Sequence, residues 1–142
     1  MWHCNLVQAS ELGSDMREQI DDRAEMDYLP TIGHPGVIKA FHWHRRQWDV
    51  WFFAAGMAQT VLHDLREGSP TCGRTEVFYM GVRHSLVLAI PPGVAHGYRV
   101  LGSEPAALFY HTTEHYDPAA PDEERIPFDD PRIGFDWRTK HR

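Results

Sequence analysis

Cysteine is scarce in this chain: two in 142 residues, Cys4 and Cys72. They sit in no metal or redox spacing and read as free thiols in a reducing compartment, so a disulfide framework is excluded as the source of stability. Long hydrophobic runs are missing too. No apolar stretch approaches the ~18 residues of a membrane-spanning helix. Met1–Asn5 lacks the charged start and apolar stretch of a secretory leader, and the expectation is a soluble cytoplasmic protein. Positive charge is in deficit: 14 Lys and Arg face 20 Asp and Glu, for a net charge of −6. That balance carries no footprint for nucleic acid. Internal repeats and low-complexity tracts are absent.

What is present is a histidine-rich, β-prone chain. The length suits one domain over 1–142 with a core that needs no staples, and it carries ten histidines. Residues 1–35 are polar and acidic, and the segment around Glu11–Met26 suggests a short helix or, in its place, a loop with one edge strand. Residues 36–112 are dense in β-branched and aromatic residues, and 113–142 are polar, Pro-rich and expected to wrap the surface. The middle zone reads as strands at Gly36–His44, Trp48–Ala55, Ala58–Leu65, Thr75–Met80, Ser85–Ile90, Tyr98–Leu101 and Ala106–Thr112. Short strands at this spacing with Gly/Pro turns between them indicate an all-β sandwich or barrel. Trp48, Trp51, Phe52 and Phe53 make the second strand aromatic, as core or dimer packing demands.

His42 and His44 stand two apart on a strand, so both face one side. Asp49 opens the next strand, and His96 follows in Pro91-x-Gly93-x2-His96. Three imidazoles and one carboxylate are a ligand set for Zn, Fe, Ni or Mn, with positions left open for water or substrate. A polar barrel interior without metal uses the same residues. The pattern Gly36-x5-His42-x-His44-x4-Asp49-x6-Gly56 with Pro91-x-Gly93-x2-His96 resembles the two motifs of the cupin superfamily, which implies a double-stranded β-helix (a jelly-roll barrel). Asp49 stands where that superfamily usually has Glu, and Val100 replaces its closing Asn.

A closer resemblance rests on longer blocks. Gly36-Val37-Ile38-Lys39-Ala40-Phe41-His42 is similar to the G-V-[LI]-R-G-L-H of the dTDP-4-dehydrorhamnose 3,5-epimerase family. Asp64-Leu65-Arg66-x2-Ser69-Pro70-Thr71-x-Gly73 is similar to its D-[IL]-R-x2-S-P-T-[FY]-G. Ile90-Pro91-x-Gly93-x-Ala95-His96-Gly97-Tyr98 is similar to I-P-x-G-x-A-H-G-F. Further matches lie at Tyr110-x-Thr112-Thr113-x2-Tyr116 and at Asp129-Asp130-Pro131-x-Ile133-Gly134-Phe135-x-Trp137. The resemblance covers about 36–137. It implies an isomerase acting on a keto sugar or sugar nucleotide, in which a base removes a proton beside the carbonyl and a tyrosine returns one from the opposite face. On this mapping His42 is the base and Tyr110 the acid, Lys39 meets phosphate, and His44, His96 and Tyr116 line the sugar pocket. The family also implies a homodimer.

The resemblance breaks at four places. Residues 1–35 hold no match to the family's nucleotide-gripping G-D-x-R-G-x-F segment, so fewer nucleotide contacts are expected. The C-terminal S-x-K-D block, whose Asp orients the base, is not found. Asp49 replaces the lysine that stabilises the enolate, and Thr60 replaces an inward acidic residue. A bare carboxylate about 4 Å from an enolate would cost on the order of 4 kcal/mol at an effective dielectric of about 20. Two arrangements avoid that cost. Asp49 could orient His42, or a divalent metal on His42, His44, Asp49 and His96 could polarise the carbonyl. A metal-binding cupin of another activity and a non-catalytic sugar-binding cupin remain alternatives.

Overall fold

A computed structural model describes residues 5–8 and 27–138. The helix expected around Glu11–Met26 lies outside the described residues. Ten strands run in chain order: β1 Asn5–Gln8, β2 Asp27–Gly33, β3 Ile38–Trp43, β4 Asp49–Ala55, β5 Met57–Asp64, β6 Thr75–Gly81, β7 Leu86–Ile90, β8 Val94–Leu101, β9 Ala106–Thr112 and β10 Glu124–Arg125. They form two five-stranded sheets, ordered β1-β7-β4-β9-β2 and β10-β3-β8-β5-β6. Pairing is antiparallel except between β1 and β7. This is the all-β jelly roll that the strand spacing and the superfamily motifs imply. Among the described residues no helix is long and apolar enough to cross a membrane.

The barrel reaches beyond 36–112. Strand β2 pairs with β9 over its whole length, and β10 pairs with β3 at Trp43 and His42. Strand β2 contains Pro30 and, among the described residues, is an edge strand, where a residue without an N–H is tolerated. Strand β8 begins four residues earlier than expected, because Gly97 interrupts the pattern. That glycine is required by packing: a Cβ there would lie 2.3 Å from the Ala40 Cβ and 2.8 Å from the Lys39 carbonyl oxygen.

Alternation sends one face of each sheet inward. Trp51, Phe53, Leu62, Met80, Leu88, Ile90, Val100 and Leu108 fill the space between the sheets. The aromatic strand β4 is therefore core, with Trp51 and Phe53 each 2 % exposed. A second cluster of Phe41, Val61, Ala95 and Trp137 covers the outer face of the β3-β8-β5 sheet. Trp137 stacks against Phe41 with ring centroids 5.3 Å apart, and its indole donates to the Phe128 carbonyl at 2.9 Å. The C-terminal segment thus wraps the barrel and closes one sheet face, while the space between the sheets stays open at the His42 end.

Candidate active site

A β-bulge aims the site. Lys39 pairs with Tyr98 and His42 with His96, so three residues of β3 span two of β8. A bulge re-aims side chains; here it puts Lys39 and His42 on the inward side with Tyr98 and His96, and His44 follows by simple alternation. From the facing sheet, β4 contributes Asp49 and Trp51, and β9 contributes Tyr110, which pairs with Trp51. Together these strands enclose a cavity of about 560 Å³ lined by Lys39, His42, His44, Asp49, Tyr110 and Tyr116 among others. Lys39 is exposed and Tyr116 is 69 % exposed, so both stand at the mouth.

One expected lining residue is not on the cavity surface. His96, 1 % exposed, lies beneath His42 and Trp51, with ring centroids 4.2 Å and 5.1 Å away. The His42 ring packs against it, because the two residues are cross-strand partners on the same face of the sheet. His96 still belongs to the cluster: one ligand atom from each of His42, His44, Asp49 and His96 lies within 4.8 Å of all the others.

Hydrogen bonds orient the rings. His96 Nδ1 donates to the Val94 carbonyl at 2.9 Å, and His44 Nδ1 donates to the Asp122 carbonyl. Each then directs Nε2 toward Asp49. His44 Nε2 lies 3.6 Å from Asp49 Oδ1 and His96 Nε2 3.3 Å from Oδ2. The His96 contact fails as a hydrogen bond, and that buried Nε2 has no partner. Asp49 accepts from Gln47 Nε2 at 2.7 Å and from the Trp51 indole at 3.1 Å. No hydrogen bond joins Asp49 to His42. The carboxylate therefore does not orient His42, and with the Gln47 amide and the Trp51 indole as donors it does not face the cavity bare.

The electrostatics assign protons. Burial lowers the pKa of His42, and the neighbouring His96 lowers it further, against the pull of Asp49. His42 is thus a neutral imidazole at neutral pH. Burial works to raise the pKa of Asp49, but His96, His44 and Gln47 outweigh it and keep the carboxylate ionised. Burial, then Asp49 and Glu123, raises Tyr110 against a hydrogen bond from Thr31, so the phenol keeps its proton. Tyr98, buried beside it, is pushed up to about 12 by burial and by Tyr110.

The cluster passes a test of fit for a divalent ion. Two imidazoles fixed by backbone carbonyls present Nε2, as metal ligands do, and the unpartnered His96 Nε2 lacks a donor or cation. A span of 4.8 Å is slightly wider than the ~4.2 Å across a site with bonds of about 2.1 Å, so a small contraction would close it.

Sequence reasoning missed Gln47, Tyr98 and Asp122. Tyr98 was reachable, since it stands two residues after His96 on the same face of β8. Asp122 was not: it lies 78 residues from His44 in the chain. Its carboxylate accepts from the backbone N–H groups of Arg45, Arg46 and Gln47 at 3.1, 2.9 and 3.1 Å, pinning the β3–β4 turn.

Comparison with known proteins follows the same lines. The family model described as dTDP-4-dehydrorhamnose 3,5-epimerase matches residues 15–142. The chain is 59 % identical over 109 residues to the spore coat polysaccharide biosynthesis protein SpsL of Bacillus subtilis, covering 77 % of this chain and 72 % of that one. It is 39 % identical over 117 residues to the probable low-salt glycan biosynthesis epimerase Agl13 of Haloferax volcanii, covering 82 % and 74 %. Among solved structures, the dTDP-6-deoxy-D-glucose-3,5-epimerase of Legionella pneumophila in complex with dTDP-4-keto-L-rhamnose superposes with a TM-score of 0.73 at 30 % identity. That match covers 86 % of this chain and 64 % of that one.

Proposed function

The chain belongs to the dTDP-4-dehydrorhamnose 3,5-epimerase family, and from that premise we propose that it is a sugar-nucleotide epimerase acting on a 4-keto sugar by proton abstraction beside the carbonyl. One observation carries the mechanism. His42 from one sheet and Tyr110 from the other line opposite walls of a single cavity large enough for a sugar and part of its nucleotide. His42, neutral because burial and His96 depress its pKa, takes a proton from the carbon next to the ketone. The C–H electron pair moves into a C=C bond and the carbonyl becomes an enolate. Tyr110 then gives its proton to the opposite face of that carbon, the carbonyl re-forms, and the configuration is inverted. The imidazolium and phenolate return to their starting states by proton exchange with water.

Asp49 supports this chemistry indirectly. Its charge is absorbed by the Gln47 amide and the Trp51 indole, which reduces the repulsion that a bare carboxylate would exert on an enolate. Lys39 and Tyr116 at the mouth suit the phosphate and nucleotide end. The names of the relatives SpsL and Agl13 support a sugar destined for a surface polysaccharide or glycan. We take the active form to be a homodimer, for which exposed Ile32 on the edge strand β2 and Val77 and Tyr79 on the edge strand β6 offer apolar surface.

The experiment is exchange of substrate hydrogens with heavy water, using dTDP-4-keto-6-deoxyglucose. His42→Asn and Tyr110→Phe should each lower exchange by about 10²–10⁴-fold without unfolding the protein. Undiminished exchange in both variants would remove the mechanism, and no exchange by the unaltered protein with any 4-keto sugar nucleotide would leave a sugar-binding cupin.

A second reading is favoured by the unpartnered His96 Nε2 and the four-residue cluster. His42, His44, Asp49 and His96 would hold a divalent ion, which when bound supplies Lewis-acid polarisation of a carbonyl. Metal content of protein purified without a nickel column separates the two readings.

A further inference from the structure

The Gln47 amide stands between two of the four ligand-type side chains. His44 donates through Nδ1 to the Asp122 carbonyl, which leaves a lone pair on Nε2. Asp49 Oδ1 is 3.6 Å from that nitrogen. Two acceptors this close and this buried need a donor or a cation between them. The Gln47 amide nitrogen is 3.2 Å from His44 Nε2 and 2.7 Å from Asp49 Oδ1. A primary amide has two N–H groups, one for each acceptor. The other carboxylate oxygen, Oδ2, accepts from the Trp51 indole. The amide is also held in place, because the turn that carries it is tied by three backbone N–H groups to the Asp122 carboxylate.

Two of the four ligand-type side chains are thus satisfied by a tethered neutral donor. We propose that Gln47 sets the metal state of this cavity: with its amide between His44 and Asp49 the cluster operates without an ion, and a divalent cation enters only when the amide is withdrawn. The inference concerns the same site as the epimerase reading. Its test reads metal binding rather than turnover, so the two can fail separately.

The test titrates the full chain, stripped of metal, with cobalt(II), and follows binding by calorimetry and by the visible absorption of the bound ion. Gln47→Ala should bind cobalt roughly 5- to 150-fold more tightly than the unaltered protein, as the loss of two competing hydrogen bonds implies. Gln47→Met, which keeps the side-chain length without N–H groups, should do the same and guards against a folding defect in the alanine variant. Adding His44→Ala to Gln47→Ala should abolish the gain, which places the ion in the cluster. Thermal stability supplies a sign that generic damage would not: without metal Gln47→Met should melt below the unaltered protein, and with saturating zinc above it. Equal cobalt affinity in the unaltered protein and both variants, or no binding by any of them, would overturn the proposal.

Discussion

Two buried aspartates, Asp49 and Asp64, show what separates the candidate site from a structural one here. Both are almost wholly inaccessible, at 2 % and 0 % exposed, and both have pKa values below the ordinary carboxylate range. Asp64 accepts from the Arg66 backbone N–H, its Nε and Nη2 at 2.9, 2.8 and 2.9 Å, and from the Ser69 and Thr71 hydroxyls at 2.7 and 2.6 Å. Every one of these donors is within seven residues in the chain, and nothing in the group is left over. Asp49 instead faces histidines from β3 and β8, and the nitrogen nearest its Oδ2 has no hydrogen-bond partner. A saturated carboxylate can only hold a loop in place, whereas an unsaturated cluster has capacity for a proton, an ion or a substrate.

The contrast can be broken most forcefully at Asp64. Asp64→Ala strands the Arg66, Ser69 and Thr71 donors and should cost about 3–5 kcal/mol, read as a shift of the urea midpoint. A change under 1 kcal/mol, on the order of a surface substitution, would erase the distinction.

Asp49→Asn should act on chemistry more than on stability. The near-isosteric amide keeps a partner for Gln47, so the urea midpoint should move by about 1 kcal/mol or less. Hydrogen exchange should fall roughly tenfold as the imidazolium that forms on His42 loses the carboxylate charge that favours it. Unchanged exchange with a collapsed midpoint would make Asp49 a second Asp64.

The smallest effect is in pH. Burial raises the pKa of Asp64, but Arg66, Thr71 and Ser69 outweigh it and hold the carboxyl well below its usual range. A depressed carboxylate contributes stability in full above its unfolded pKa of about 3.9 and loses it as pH falls toward the folded value. Stability should therefore decline from roughly pH 4 downward. In Asp64→Asn that decline should be shallower, and an identical acid slope in the two proteins would assign acid sensitivity elsewhere.

Much of this was legible from residues alone. Strands β3 to β7 and β9 follow from β-branched and aromatic alternation between Gly/Pro turns, and each was placed within a few residues of its observed ends. His42 and His44 share a face because strand periodicity is two. Of the four other strands, β2 and β8 have identifiable obstacles. Pro30 resembles a breaker unless its strand is known to be an edge, and Gly97 resembles a turn unless Ala40 is known to press on it. That Asp49 accepts from Gln47 and Trp51 and makes no hydrogen bond to His42 could not be read at all.

The sequence by itself determined the β-rich class of the chain, the shared face of His42 and His44 and the closed Asp64 loop, because each depends on neighbours a few positions apart. Only the tertiary structure decided that His42 pairs with His96 across β3 and β8, that Gln47 stands between His44 and Asp49, and that Asp122 ties the turn beneath them. Those relations depend on which strands lie side by side and in what register. Register is a property of the whole pair of sheets, fixed by packing and backbone hydrogen bonding across the barrel, so no local stretch of residues carries it.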